Sequence, residues 1–453
     1  MLIKKITTCM IALVLAVTAQ AQASKFNLKE AIDFALKNNP NLVNARIEES
    51  IADKKVNEIK AIGLPQVSAG VSYTNYIQIP TQRLPNFINE ALPPGSPRGP
   101  EFIDAQFGIP HTLGANVTLN QLLFDGTYFL GLKAAQEFVK ISQYATQQTE
   151  IEVQLNVVKT YYSVLMADKR LEQVDANLSS LDSTLYNMKA LTEQGFAESV
   201  DTARISLSMS NLKIQRARLA DQKTIMLNML KILMGYDVTK PIELTESTES
   251  LESNLKVMDV QGAGSVSNRP EYKILSQQLA MGLLDEKRYK FGYYPTLNGF
   301  FTHQQNTYAS KGQMSQLGNP WFPGTFWGLS LNIPIFSGFR QRSLIQQASL
   351  RVQQYETSRS QFEQAYQNEV LTAQTNYLRA LENYELQKKN VVLSEEIKRI
   401  AKIKLQEGLG TSLEYTTAET ENNTSQSNLV IALYELMMAE LDYRKATGAK
   451  IID

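Results

Sequence analysis

Few side chains in this sequence are suited to chemistry. Two histidines, His111 and His303, and one cysteine, Cys9, are the only soft or near-neutral titrating groups in 453 residues. A metal centre needs several clustered His, Cys or carboxylate ligands, and a nucleophilic triad needs a base held against a Ser or Cys. His111 ends a proline-rich stretch and His303 falls in an alternating segment, with no thiol or carboxylate cluster beside either. No glycine-rich phosphate loop occurs. The expectation is no catalytic, cofactor-binding or metal site and no enzyme, so any work must draw its energy from a partner. Glu395, Glu396, Lys398, Arg399, Lys402 and Lys404 form a charged run that reads as a solvated helix face. Lys+Arg and Asp+Glu are both 45, so nothing points to nucleic acid.

The first 23 residues read as an export signal. Lys4 and Lys5 precede an apolar stretch over 6–17, and both Ala19-Gln20-Ala21 and Ala21-Gln22-Ala23 suit cleavage. The unbroken apolar run, 9–17, is too short to span a membrane. Cys9 lies inside that stretch and is not placed to accept a lipid. A chain cleaved after 21 or 23 keeps no cysteine, which excludes disulfides and thiolate sites. No later stretch is long and apolar enough for a spanning helix. A membrane crossing must therefore use β-strands in a closed barrel, because lipid cannot satisfy an open sheet edge.

The elements that position these residues come in two copies. Asn38-Asn39-Pro40-Asn41-Leu42 returns as Asn268-Arg269-Pro270-Glu271-Tyr272, and Pro65 returns as Pro295. Phe124 and Gly126 return as Phe336 and Gly338, Gly195 as Gly408, and Gly235 as Gly448. A unit of this length is a duplicated half-protein and not a solenoid repeat. The copies differ mainly by about 18 residues inserted between Pro65 and Phe124. The division is 1–23 signal, 24–264 first repeat with its connector over 240–264, and 265–453 second repeat.

Most of each copy reads as helix. Asn27 caps a short helix broken at Asn38-Asn39-Pro40, and a second runs over 42–62 to Gly63 and Pro65. The stretches 127–192 and 339–407 are almost free of Pro and Gly, with Asp125 and Ser337 as candidate N-caps. Leu171, Val174, Leu178, Leu181, Leu185 and Met188 step alternately by three and four, a coiled-coil seam. At 1.5 Å per residue each long helix measures on the order of 100 Å, so the helices must lie side by side in a bundle or tube. Each ends at a glycine-bearing turn, after which a helix returns over 199–234 or 412–447.

Four segments alternate with period two: 66–76, 112–120, 296–304 and 326–335. Val67, Ala69, Val71 and Tyr73 oppose Ser68, Gly70, Ser72 and Thr74, and the others follow suit, with adjacent Phe300 and Phe301 blurring the third. Each has the length of a membrane strand, and its polar face is small and hydroxylic, as beside a water-filled lumen. Tyr76, Phe124, Tyr293, Tyr294, Trp321, Phe322 and Phe336 bracket the segments like an interfacial girdle. Long turn-rich loops, 80–111 and 309–324, join the strands of each pair. Four strands cannot close a barrel, since the smallest have about eight. Three copies would supply twelve and gather the helices into a hollow cylinder.

This order of motifs resembles the outer-membrane efflux protein (TolC-like) family over about 26–448. The resemblance rests on the opening helix with its Asn-Asn-Pro, on Pro65 and Pro295, on Phe124-Asp125-Gly126 and Phe336-Ser337-Gly338, and on the Gly195 and Gly408 turns. It implies a mainly α fold with a β-barrel part. In that fold a homotrimer shares an outer-membrane barrel of four strands per chain above a periplasmic coiled-coil tube. It implies a passive exit duct of a tripartite efflux or secretion system in a Gram-negative cell. Its partners would be a periplasmic adaptor, an inner-membrane transporter and outer-membrane lipid. It places adaptor docking at the tips, Gly195, Phe196, Ala197, Glu198, Ser199 and Gly408, Leu409, Gly410, Thr411, Ser412. Without the resemblance, the tip glycines read as helix C-caps and Ser199 and Ser412 as N-caps. Relatives carry acidic residues near a periplasmic aperture. Here the corresponding stretch offers Glu395, Glu396, Arg399 and Lys402, a mixed set that does not reproduce an acidic gate. The competing reading is a coiled-coil structural or adhesive envelope protein, against which the paired strands and duplication argue.

Overall fold

A computed structural model describes residues 24–195, 197–254 and 264–451. The export signal, Cys9 and Phe196 lie outside the described residues, as does part of the connector. In chain order the elements are β1 (Ser24–Phe26), α1 (Leu28–Asn38), α2 (Pro40–Ile62), β2 (Gln66–Asn75), β3 (Thr81–Pro85), α3 (Ile88–Ala91), β4 (Phe102–Gln106) and β5 (His111–Phe124). Then come α4 (Gly126–Glu193), α5 (Ser199–Met234), β6 (Ile242–Leu244), α6 (Thr248–Asn254), α7 (Pro270–Phe291), β7 (Thr296–Ala309), β8 (Phe322–Asn332), α8 (Arg340–Gln406) and α9 (Ser412–Thr447). The chain divides into two compact units. Among the described residues, one comprises 24–51, 139–278 and 355–451, the other Ala52–Phe138 and Leu279–Gln354.

The first unit is mainly helical and also holds the short β1–β6 pair. The α4 and α8 helices have 68 and 67 residues, and α5 and α9 have 36 each. The expected seam forms: Val174, Leu181, Leu185 and Met188 are buried, Leu171 and Leu178 pack beside them, and Ile205, Met209 and Leu212 of α5 complete the cluster. On α8 the matching stripe is Tyr366, Val370, Ala373, Tyr377 and Tyr384, packed on α9 through Leu433, Leu436 and Tyr443. Burying a Leu or Tyr in such a seam contributes about 1.5–3 kcal/mol.

The repeat signatures have identifiable jobs. Asn27 caps α1 by a reciprocal box, its Oδ1 accepting from the Glu30 N–H at 2.8 Å while its own N–H donates to Glu30 at 2.9 Å. Asn39 ends α1 and starts α2, because its Oδ1 accepts from the N–H groups of Asn41 and Leu42. Helix α2 therefore begins at Pro40, two residues before the expected start, since a first-turn proline lacks only a donor the helix does not use. Asn39 Nδ2 also donates to the Leu233 carbonyl at 2.6 Å, tying the end of α5 to this corner. Gly235, at φ 69°, closes α5 in the left-handed region, and a Cβ there would stand 2.2 Å from the Asn38 carbonyl oxygen. The connector carries more order than its composition suggests. β6 pairs in parallel with β1, and α6 follows. Strands of three residues are too short for alternation to reveal.

The second unit contains the sheet, in the antiparallel order β2-β5-β7-β8. All four expected strands are present with changed limits. β5 runs on to Phe124, β7 runs on to Ala309, and β8 starts at Phe322 and stops at Asn332, so Ile333 and Ile335 lie outside it. The register aligns Val67, Leu119, Phe301 and Trp327 in one row on the apolar face. Ser68, Thr118 and Thr302 align on the other, where the two threonine hydroxyls share a hydrogen bond of 3.1 Å. Phe300 breaks the alternation for a packing reason. Its ring lies over Gly328, where a Cβ would meet it at 2.6 Å, and edge-on to Phe326. Every bracketing aromatic expected at the strand ends is more than a third exposed. Within the first loop β3 and β4 form their own two-stranded ladder, pinned by a bidentate Arg83–Asp104 pair.

Of the two N-caps expected for the long helices, Asp125 holds. Its Oδ1 accepts from the N–H of Thr127, the second residue of α4, at 2.7 Å. Ser337 does not cap α8. Gly338 and Phe339 both take positive φ, so the helix starts at Arg340, and the Ser337 hydroxyl reaches only the Gln341 N–H at 3.5 Å.

Candidate functional site: the hairpin tips

Each tip is a reversal between two helices. Gly195 and Gly408 take φ 80° and 70°, the left-handed backbone that ends α4 and α8, so both glycines are the C-caps their positions suggested. The N-cap reading needs correction. The return helices are capped by Glu198 and Thr411, with Ser199 and Ser412 as first helical residues. The Thr411 hydroxyl accepts from the Glu414 N–H at 3.2 Å, and the Glu198 N–H donates to Asp201 at 3.3 Å.

Ser412 is thereby released for a different task. It is 2% exposed, and its hydroxyl donates to the Asp201 carboxylate of the other hairpin. Nearby, Tyr415 is fully buried, with its hydroxyl 3.3 Å from that of Thr184 on α4. Tyr415 and Leu405 also join the apolar cluster of the first hairpin. The two tips, separated by over 200 residues of sequence, are thus brought together. Around this joint Glu198, Ser199, Gly408, Leu409 and Thr411 are exposed, Ala197 and Gly410 are partly covered, and Leu409 is 81% exposed. An apolar side chain so open on a fixed turn is suited to a partner surface.

The aperture candidates lie just before the second tip. Glu396 and Arg399 form a bidentate pair one turn apart on the exposed face of α8. Glu395 accepts from Gln426 of α9 at 3.4 Å, and Lys402 is half-buried. Arg399 holds the Glu396 carboxyl below the usual range by its hydrogen bonds. The sequence reading missed the most buried ion pair here. Lys398 donates to Glu419 at 3.0 Å, with the two side chains only 18% and 3% exposed. A Lys ten residues before the tip gives no hint of a carboxylate on the facing helix.

The sequence reading also missed two further apolar stripes. Val200, Leu207, Ile214, Ile225 and Ile232 on α5 stay exposed, as do Leu371, Leu378, Leu386, Leu393 and Ile400 on α8. Their nearly heptad spacing is that of a seam, yet none of the described residues covers them. In the sheet unit the edge strands β2 and β8 have one unpaired side each. The histidines stand apart there, His111 bonded to the Tyr73 hydroxyl at 2.9 Å and His303 to Thr325 at 2.7 Å. Among the described residues no group of three His, Cys or carboxylates could hold a metal, and no helix is long and apolar enough to cross a membrane.

Known proteins share this architecture. A family model described as "Outer membrane efflux protein" matches residues 31–236 and 292–449. The outer membrane protein TolC of Vibrio cholerae serotype O1 is 22% identical over 443 residues, covering 93% of this chain and 90% of that protein. A membrane protein from Pseudomonas aeruginosa superposes with a TM-score of 0.73 at 18% identity, over 93% of each chain. The outer membrane protein VceC of Vibrio cholerae gives 0.72 at 16% identity, over 94% of this chain and 96% of that one. At these identities the superpositions speak for the fold.

Proposed function

The chain belongs to the outer membrane efflux protein family, and on that premise we propose that three copies close one barrel by pairing β8 of each with β2 of the next. The protein is an outer-membrane exit duct of a tripartite efflux system, from a family of channels and not of enzymes. One observation carries the trimeric reading: a four-stranded sheet with both edges open and one largely apolar face, interrupted by the bonded pair His303 and Thr325 and by Gln305. In lipid each unsatisfied backbone group costs several kcal/mol, so such a sheet must be completed by other copies. Twelve strands then close the pore. The uncovered stripes on α5 and α8 support the same reading, because a neighbouring copy would bury them.

The repeat division at 24–264 and 265–453 follows the duplicated motifs. The tips, from Gly195 to Ser199 and from Gly408 to Ser412, dock the periplasmic adaptor, which links the duct to an inner-membrane transporter. Glu395, Glu396, Arg399 and Lys402 line the aperture with mixed charge, and the Glu396–Arg399 pair leaves little net field for selecting cations. Two measurements test this reading. Native mass spectrometry of the solubilised protein should give a trimer, and a soluble monomer without detergent would overturn that. A photo-crosslinker at Leu409 should capture an adaptor in intact cells. Capture of outer-membrane proteins alone would move the docking site elsewhere.

A further inference from the structure

We propose that the space between the two hairpins binds a small amphipathic anion bearing a hydrogen-bond donor, as a carboxylate beside an amide does. The space lies among α4, α5 and α9 and has two adjoining parts. A polar part of about 460 Å³ is lined by Asn211, Gln215, Thr416, Glu419, Thr420 and Asn423. A more apolar part of about 190 Å³ is lined by Met166, Leu219, Met226 and Val430, with Ser163, Gln222 and Tyr434 at its margin. Arg170 and Ile431 line both, and Arg170 also lines a third, smaller hollow shared with Asn423.

Three buried atoms here lack partners. Glu419 is 2% exposed and gives one oxygen to Lys398, yet its Oε2 is unbonded. One helical turn on, Asn423 Oδ1 is unbonded, and across the space so is Arg170 Nε. A buried polar atom without a partner is costly, so these positions call for an occupant. The charge balance says which kind. Glu419 is neutralised by Lys398, whereas Arg170 pairs with no carboxylate among the described residues. One positive charge is left over, which favours an anionic head. The free oxygens of Glu419 and Asn423 ask in addition for a donor on the same molecule. Water would satisfy the polar atoms but would leave Met166, Leu219, Met226 and Val430 without apolar cover. A carboxylate on Arg170, an adjacent N–H on Asn423 or Glu419, and an alkyl chain against Met166 and Met226 answer all three demands. Because α4 and α5 belong to the first repeat and α9 to the second, the occupant would join the two.

The test is calorimetric titration of N-octanoylglycine into the full-length protein in lipid nanodiscs, with empty nanodiscs as blank. Saturable binding is expected, one molecule per chain, weakened about tenfold or more by Arg170→Gln. Asn423→Ala should weaken it several-fold, and Met226→Phe should block the tail. Octylammonium, with the same tail and the opposite head, should not saturate. A signal equal to the blank overturns the proposal. So does binding that Asn423→Ala and Met226→Phe leave unchanged, which decides the matter even if Arg170→Gln fails to assemble. Equal binding of octylammonium would do the same.

Discussion

Asn39 and Arg269 occupy the same point of the two copies and do the same work with different chemistry. Asn39 donates one amide hydrogen bond to the end of α5. Arg269, with a side chain 7% exposed, donates to the Lys445 and Ala446 carbonyls at the end of α9 while pairing with Glu271 and Glu369. Removing one partner of a buried pair typically costs about 3–5 kcal/mol, because the other charge is stranded. Glu271 and Glu369 keep some contact with solvent, so Arg269→Ala should cost about 2–4 kcal/mol in urea denaturation. A loss below about 1 kcal/mol would mean the clamp is incidental. The same corner predicts a pH dependence. Burial pushes the Glu271 carboxyl up, but hydrogen bonds and charge from Arg269 outweigh it and hold the pKa below 4.5. A depressed acid stabilises the fold above its unfolded value and loses that contribution as pH falls through the folded one. Stability should therefore decline below about pH 4.5, and Glu271→Gln should flatten that part of the profile.

At the scale of elements, the amphipathic pattern was read correctly but only half of it was read. Leu171 to Met188 showed a seam by spacing alone, and that seam is buried. The stripes through Leu207 and Leu393 have similar periodicity and stay uncovered. Spacing reports that a helix has an apolar stripe. Which neighbour covers it depends on how the hairpins dock. Leu207→Glu and Leu393→Glu should leave monomer helicity intact, as followed by far-UV circular dichroism. Both should shift the solubilised protein from trimer to monomer by light scattering, since an unpaired carboxylate in an inter-copy seam is strongly disfavoured. A trimer that survives both changes would show that these stripes face something else. The N-caps make the same point. Ser199 and Ser412 have the right composition, yet Glu198 and Thr411 cap, because the turn geometry after each glycine sets where the first helical residue falls.

At the scale of the whole molecule, the proposed barrel puts the strands in lipid, with Trp327 expected near mid-depth and Trp321 at the boundary. Trp327 is 73% exposed in the row of Val67, Leu119 and Phe301, whereas Trp321 immediately precedes β8. Six residues of tilted strand separate them by about 15 Å along the membrane normal. In the Trp321→Phe protein, the fluorescence of Trp327 should be quenched most by lipids brominated deep in the acyl chain. In Trp327→Phe, Trp321 should respond most to bromines near the headgroup. Equal quenching of both by shallow bromines would place the sheet outside the bilayer.

The sequence by itself determined the duplication, the long hairpins, the four strands and the tip glycines. Each of these is written locally, in the period of apolar residues or in a residue able to adopt a left-handed turn. Tertiary structure alone decided the Ser412–Asp201 joint, the Lys398–Glu419 pair, the β1–β6 ladder and the half-polar space around Arg170. These join separate elements through one to a few contacts each, too few to leave a period to read.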